Sequence, residues 1–218
     1  MLTALLFDLD GTLTDTDTLH LQAFRQLLRE HDGRELTQAQ FDSQVSGRAN
    51  GELFADLFPQ ATTAQCQALA DRKEALFREL APALEPMPGL LRLLEHAQAH
   101  GIGMCVVTNA PRLNAEHMLT AMGLGERFEH VLVAEELERA KPDPLPYLTG
   151  LRCLGLRPGR RWRSRIRCRG CRRPAGGDLH RGDRHDPDAR ATAGCGAQLV
   201  VDDFDDPRLW GVIERMLG

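Results

Sequence analysis

Apolar and polar positions along the chain follow two rhythms. Residues 3–7 are a short apolar run of the kind a buried parallel strand shows, and they lead into Asp8-Leu9-Asp10-Gly11-Thr12-Leu13-Thr14, where a glycine turn follows. From Thr18 the period lengthens: Leu19, Ala23, Phe24, Leu27 and Leu28 recur at helical spacing until Asp32-Gly33 ends the pattern. Helical patterns continue over 37–45, 49–58 and 62–80, with Pro59 breaking between the last two. Roughly seventy residues therefore pass without a strand pattern, and Pro82, Pro86, Pro88 and Gly89 mark the exit.

Beyond that exit, helix and strand patterns alternate. A helix is predicted over 90–100, a strand over 104–108, a helix over 112–122, a strand over 130–134 and a helix over 144–154. At the far end a strand over 197–201 precedes a helix over 207–217. This alternation predicts an α/β fold with a parallel sheet, interrupted after its first strand by an all-helical insert.

Composition narrows the picture. A chain of 218 residues, 42% hydrophobic with formal net charge −4, fits one α/β domain carrying a modest insert, and neither charge nor hydropathy calls for nucleic acid or a membrane as partner. The first strand begins within three residues of the start with no signal-peptide pattern ahead of it, so the expectation is a cytoplasmic protein. Six cysteines without small-scaffold spacing fit reduced thiols, with Cys66, Cys105 and Cys153 expected as packing residues.

The candidate chemistry starts at Asp8 and Asp10. Neighbours at i and i+2 on a strand point to one side, so two carboxylates at a strand exit can share one metal ion and one phosphate. Asp8-Leu9-Asp10-Gly11-Thr12-Leu13-Thr14 resembles the first motif of the haloacid dehalogenase-like phosphohydrolases, in the branch of the phosphoglycolate phosphatases and β-phosphoglucomutases. Val106-Val107-Thr108-Asn109-Ala110 resembles the second motif and Lys141-Pro142-Asp143-Pro144 the third. Lys141 is one of only two lysines, with Lys73, in a chain rich in arginine, which points to a need for a compact point charge in that loop.

The resemblance implies a Rossmann-like core over 1–15 and 86–218 and an α-helical cap over 16–85 that excludes water and selects the substrate. It implies that Asp8 attacks phosphorus to form an aspartyl-phosphate, while Asp10 protonates the leaving group and then activates water. Mg²⁺ would be held by the Asp8 carboxylate and the Asp10 backbone carbonyl. Thr108 would grip phosphate with Asn109 beside it, and Lys141 would screen the phosphate and the nucleophile. In the insert, Arg48 of Ser46-Gly47-Arg48-Ala49-Asn50 could hold a second anionic group, and His20 lies in the flap leading to the cap. The expected activity is hydrolysis of a small sugar or polyol phosphate by a monomer or weak dimer. The alternatives are a sugar-phosphate mutase using the same aspartyl-phosphate, and a non-catalytic remnant with a binding role.

One segment departs from the family. The family's fourth motif, Glu-Asp or Asp-Asp after a buried strand, is missing, and between 159 and 195 the only large apolar residues are Trp162, Ile166 and Leu179. No strand or amphipathic helix is readable over 159–171, and a disrupted or disordered core is expected over about 159–195. The segment reads as translated out of frame: joining the last base of each codon to the first two of the next lets 161–171 be reread as Leu-Ala-Phe-Glu-Asp-Ser-Val-Ser-Gly-Val, which contains the missing pair. Three single-base losses would account for the whole stretch, with the original frame back by Gly196. Taken literally, Cys168, Cys171, His180 and His185 have zinc-ligand residue types, but their spacing is short for a finger and little core surrounds them. The chain as written is expected to be unstable or inactive.

Overall fold

The computed structural model describes residues 2–46, 48, 50–141, 143–156, 166–168 and 199–217. Three strands, β1 (Ala4–Phe7), β2 (Gly103–Thr108) and β3 (His130–Val133), form a parallel sheet in the order β1-β2-β3. The register pairs Phe7 with Val106 and Thr108 with Val133, so the strands end at nearly one level and Asp8 and Thr108 emerge there together. Burial explains the run of Val and Cys on β2, where Cys105, Val106 and Val107 are fully covered. Helix α7 (Leu145–Cys153) packs over β1, β2 and β3, and α5 (Leu90–Ala99) over β2. The α7 contact is close at Gly150, where a Cβ would meet the side chains of Leu6, Cys105 and Val107 at 3.2–3.3 Å.

Between β1 and α5 the chain is helical throughout: α1 (Asp17–Asp32), α2 (Gln38–Gln40) running into a π-helical turn (Phe41–Val45), α3 (Asn50–Leu57) and α4 (Thr63–Leu80). Helix α1 stops where Gly33 takes a left-handed φ of 75° and its N–H caps the carbonyl of Leu28. Thr37 and Thr62 open α2 and α4 with reciprocal capping boxes through Gln40 and Gln65. Helix α4 is the spine of this layer, packing against α1 and α3 and reaching α6 (Arg112–Ala121) of the sheet side.

The chain is tied back to the core by backbone bonds: Met87 N–H to Leu13 O (2.7 Å), Leu84 N–H to Ala121 O (3.2 Å) and Phe204 N–H to Pro88 O (2.9 Å). The last helix, α8 (Pro207–Leu217), buries Leu209, Trp210 and Ile213.

Two expectations change. Residues Ile166–Cys168 form a strand, β4, parallel to β5 (Leu199–Val201), where the sequence pattern gave none. A three-residue strand whose centre is Arg167 carries too little apolar signal to be read, and backbone pairing places it instead. Cys66 and Cys105 are buried as expected, but Cys153 is exposed at the end of α7. The reread stretch 161–165, the proposed third acid and the zinc-type residues Cys171, His180 and His185 lie outside the described residues, as does the expected disorder over most of 159–195. Among the described residues, no helix is long and apolar enough to cross a membrane.

Candidate active site

Asp8 and Asp10 leave the end of β1 on a tight loop. Gly11, with φ of 63°, lets the chain turn, and the amides of Thr12 and Leu13 bond back to the carbonyl of Leu9 at 3.1 and 2.9 Å. Leu9 and Leu13 are wholly buried, which anchors the loop by about 1.5–3 kcal/mol each. The two acids are therefore presented by a fixed turn at the C-terminal end of a parallel sheet, where α/β proteins place their ligand sites.

Asp8 faces Lys141. The Lys141 ammonium lies 2.5 Å from Asp8 Oδ1 and donates to the Val107 carbonyl at 3.1 Å, so it bridges the ends of β1 and β2. The Leu9 amide also donates to Asp8 Oδ1, at 2.8 Å. Both contacts fall on one oxygen, which leaves Oδ2 for an electrophile or a cation.

Asn109 brackets the same lysine. Its amide donates to the Lys141 carbonyl and accepts from the Lys141 N–H, both at 3.1 Å. The structure thus gives Asn109 a partner in the third loop, and its chemistry here is to hold the backbone that carries the ammonium. Thr108 is buried, and its hydroxyl accepts the Ala110 N–H at 3.0 Å, which leaves the hydroxyl proton to donate.

Asp10 faces the helical layer. Its Oδ1 accepts from the Thr16 hydroxyl at 2.9 Å and contacts His20 Nε2 at 3.2 Å. His20 Nδ1 lies 3.1 Å from the Lys73 ammonium. Because an ammonium has only donors, Nδ1 must accept, and the ring proton sits on Nε2, pointing at Asp10. Phe77 stacks on the imidazole at 4.2 Å between centroids, which fixes the ring plane. Burial pushes the Asp10 carboxyl up, but the hydrogen bonds from His20 and Thr16 and the charge of Lys73 outweigh it and hold the group below the ordinary aspartate value.

The line of polar groups continues inward. Lys73 pairs with Glu74 at 2.9 Å, and both are buried. Glu74 also accepts from Asn50 at 2.7 Å and from Asn114 of α6 at 2.6 Å. Burial raises the Glu74 carboxyl, and the Lys73 charge with the bonds from Asn50 and Lys73 more than reverses that, leaving it below 4.5. Thr16, Lys73, Glu74 and Asn114 are not among the residues expected from the sequence. The signal was present in α4: Cys66, Ala70, Lys73, Glu74 and Phe77 are among its buried positions, so the charged pair falls on the apolar stripe.

Arg48 is placed elsewhere. It pairs with Asp56 and donates to the Gln44 carbonyl, both within the helical layer. Asp8, Asp10, Lys141, Asn109 and Thr108 converge at the sheet end and His20 joins them through Asp10, while no contact brings Arg48 to that group.

The donors at the loop suit a hard divalent cation. Mg²⁺ is held by one or two carboxylates with waters and substrate phosphate completing the shell, and the Asp8 carboxylate and Asp10 carbonyl are oxygens of that kind. Among the described residues, no cluster of three or more His, Cys, Asp or Glu side chains forms a complete protein cage.

Residues 5–162 match the family model described as haloacid dehalogenase-like hydrolase. Validoxylamine A 7'-phosphate phosphatase of Streptomyces hygroscopicus subsp. limoneus is 30% identical over 167 residues, covering 70% of this chain and 71% of that protein. N-acetylmuramic acid 6-phosphate phosphatase of Pseudomonas aeruginosa is 29% identical over 160 residues, covering 73% and 71%. The fold matches that of CbbY from Rhodobacter sphaeroides, solved with phosphate, at a TM-score of 0.73 and 20% identity over 94% of this chain and 96% of that one. The chain belongs to the haloacid dehalogenase-like hydrolases.

Proposed function

We propose that the chain hydrolyses a small sugar or polyol phosphate monoester through an aspartyl-phosphate on Asp8, with the helices over 16–85 acting as a cap. The observation that carries the reading is the pairing of Asp8 with the Lys141 ammonium beside an Asp10 carboxylate held by His20 and Thr16. The phosphatases acting on validoxylamine A 7'-phosphate and N-acetylmuramic acid 6-phosphate support a sugar-like substrate.

In this reading Asp8 Oδ2 attacks phosphorus as the bond to the leaving oxygen breaks, and Asp10 delivers the proton that oxygen needs. Asp10 rests as a carboxylate, so it must first take up a proton. The dianionic substrate raises its proton affinity on arrival, and Oδ2 takes a proton from solvent while His20, whose one ring proton is on Nε2, stays hydrogen-bonded to Oδ1. Water then attacks the aspartyl-phosphate, Asp10 removing its proton, and the bond from phosphorus to Asp8 breaks. Lys141 neutralises the phosphoryl oxygens throughout, and the Thr108 hydroxyl donates to one of them. Mg²⁺ at Asp8 and the Asp10 carbonyl would add positive charge against the same oxygens.

The test is Mg²⁺-dependent phosphate release from hexose, pentose and polyol phosphates. It is run on this chain and on a reread version, translated after the three single-base losses are restored. The expected result is release by the reread version at a rate at least about a hundredfold above this chain's, abolished by Asp8→Asn. No release by either protein, or release that survives Asp8→Asn, would contradict the reading.

A further inference from the structure

We infer that Asn114 is a latch: gripped on both faces by Glu74 and Arg78 of α4, it locks the helical layer onto the α/β core and thereby positions Lys73 against His20. This rests on the reading of that layer as a cap over the phosphate site.

Asn114 is only 1% exposed, on the first turn of α6, yet both ends of its side chain are satisfied by the helical layer. Its NH₂ donates to Glu74 Oε2 at 2.6 Å, and its carbonyl accepts from Arg78 Nη1 at 2.5 Å. An amide has one donating and one accepting end, and α4 offers a carboxylate and a guanidinium at i and i+4, the spacing that puts both on one face. The match is therefore polar and directional, and sliding α4 along α6 breaks both bonds at once.

The same face of α6 holds the returning segment. His117 Nε2 contacts the Ala81 carbonyl at 2.7 Å, and the Ala121 carbonyl accepts the Leu84 N–H at 3.2 Å. Residues 114, 117 and 121 share one side of the helix, so the latch sits above the point where α4 hands over to the core. Glu74 is about 10 Å up α4 from Ala81, at about 1.5 Å per residue, and is the arm that moves when the layer pivots there.

Glu74 links the latch to the site, because Oε1 accepts from Lys73 and Oε2 from Asn114. A buried carboxylate held from both sides fixes where the Lys73 ammonium lies, and hence which nitrogen of His20 carries the proton toward Asp10. Glu74, Arg78 and Asn114 act through these partners as positioning residues.

The experiment is a reciprocal swap. Glu74→Gln sets two amide NH₂ groups against each other, and Asn114→Asp sets two carboxylates against each other. In the double variant the amide introduced at position 74 can donate to the carboxylate introduced at position 114 and still accept from Lys73 and Asn50. That carboxylate in turn still accepts from Arg78. Hydrogen–deuterium exchange of the peptides over α4 and α6, with small-angle scattering on the same samples, reads the latch without turnover. Each single variant is expected to exchange roughly tenfold faster there, with a larger radius of gyration, and the double to return to the parent. A single variant that fails to fold is read through the double, whose recovery supports the latch. Where turnover is measured, kcat falls about tenfold in each single variant with KM within about threefold, and recovers in the double. Singles that exchange like the parent, a double no better than the worse single, or a loss wholly in KM would overturn the inference. Absence of phosphate release by both the parent and the reread version would sink the phosphatase reading alone and leave the exchange result standing.

Discussion

The two carboxylates of the site are held in opposite ways. Asp8 is fixed on the sheet side, where its partner Lys141 is itself held by backbone: the Val107 carbonyl takes the ammonium, and Asn109 brackets the Lys141 peptide. Asp10 is fixed on the helical side by a run of side chains, His20, Lys73, Glu74 and Asn114, each meeting the next. Backbone-anchored groups are set once the strands pair, and losing one partner leaves the rest in place. A chain of buried side chains is collective, since every member has donors or acceptors that only its neighbours satisfy. In the proposed mechanism the sheet side therefore supplies the reacting groups, and the helical side governs whether Asp10 is correctly presented.

The largest effect expected from breaking this contrast is at Lys141. Lys141→Met should lower kcat/KM by about 10²–10³, and Lys141→Arg should recover little of it, because a planar fork cannot replace a compact charge between Asp8 Oδ1 and the Val107 carbonyl. Asn109→Ala should cost about tenfold through loosening the Lys141 loop. In a Lys141→Met background it should cost almost nothing more, whereas a residue gripping phosphate by itself would cost the same in both.

On the helical side the test is stability against pH. The folded-state Glu74 carboxyl lies below its ordinary value of 4.5, so its contribution is present above that value and is lost as pH falls through the folded one. Unfolding free energies from denaturant titrations should fall more steeply below pH 4.5 for the parent than for Glu74→Gln, by on the order of 1 kcal/mol. Equal slopes would remove the charged pair from the account. The smallest effect is at Arg48, where the pair with Asp56 is largely solvated: Arg48→Ala should change stability by less than about 0.5 kcal/mol and kcat/KM by less than about threefold. A large rise in KM would restore Arg48 as a substrate contact.

The same contrast explains what the sequence made legible. Asp8, Asp10, Thr108 and Lys141 stand beside strand ends and glycine or proline turns, so their neighbours along the chain announce them. The helices were readable from their period and stops, as at Gly33, and the parallel sheet from alternation after Gly89. The Lys73 partner of His20 is 53 residues away, and Lys73-Glu74 resembles an ordinary charged pair on a helix until its place on the buried stripe is noticed. The π-helical turn at Phe41–Val45 was equally silent, because its side-chain pattern differs little from that of an α-helix. Strand β4 was missed for the opposite reason: Ile166–Cys168 is placed by pairing with β5 and has almost no pattern of its own.

The most direct test of the central claim is to trap the intermediate. The reread version is mixed with p-nitrophenyl phosphate and Mg²⁺, quenched in acid and reduced with borohydride, which converts an aspartyl-phosphate to homoserine. Peptide sequencing by mass spectrometry should find homoserine at position 8 and unaltered aspartate at position 10, with no conversion in Asp8→Asn. Phosphate release accompanied by an unmodified Asp8, or by conversion at any other carboxylate, would contradict the account.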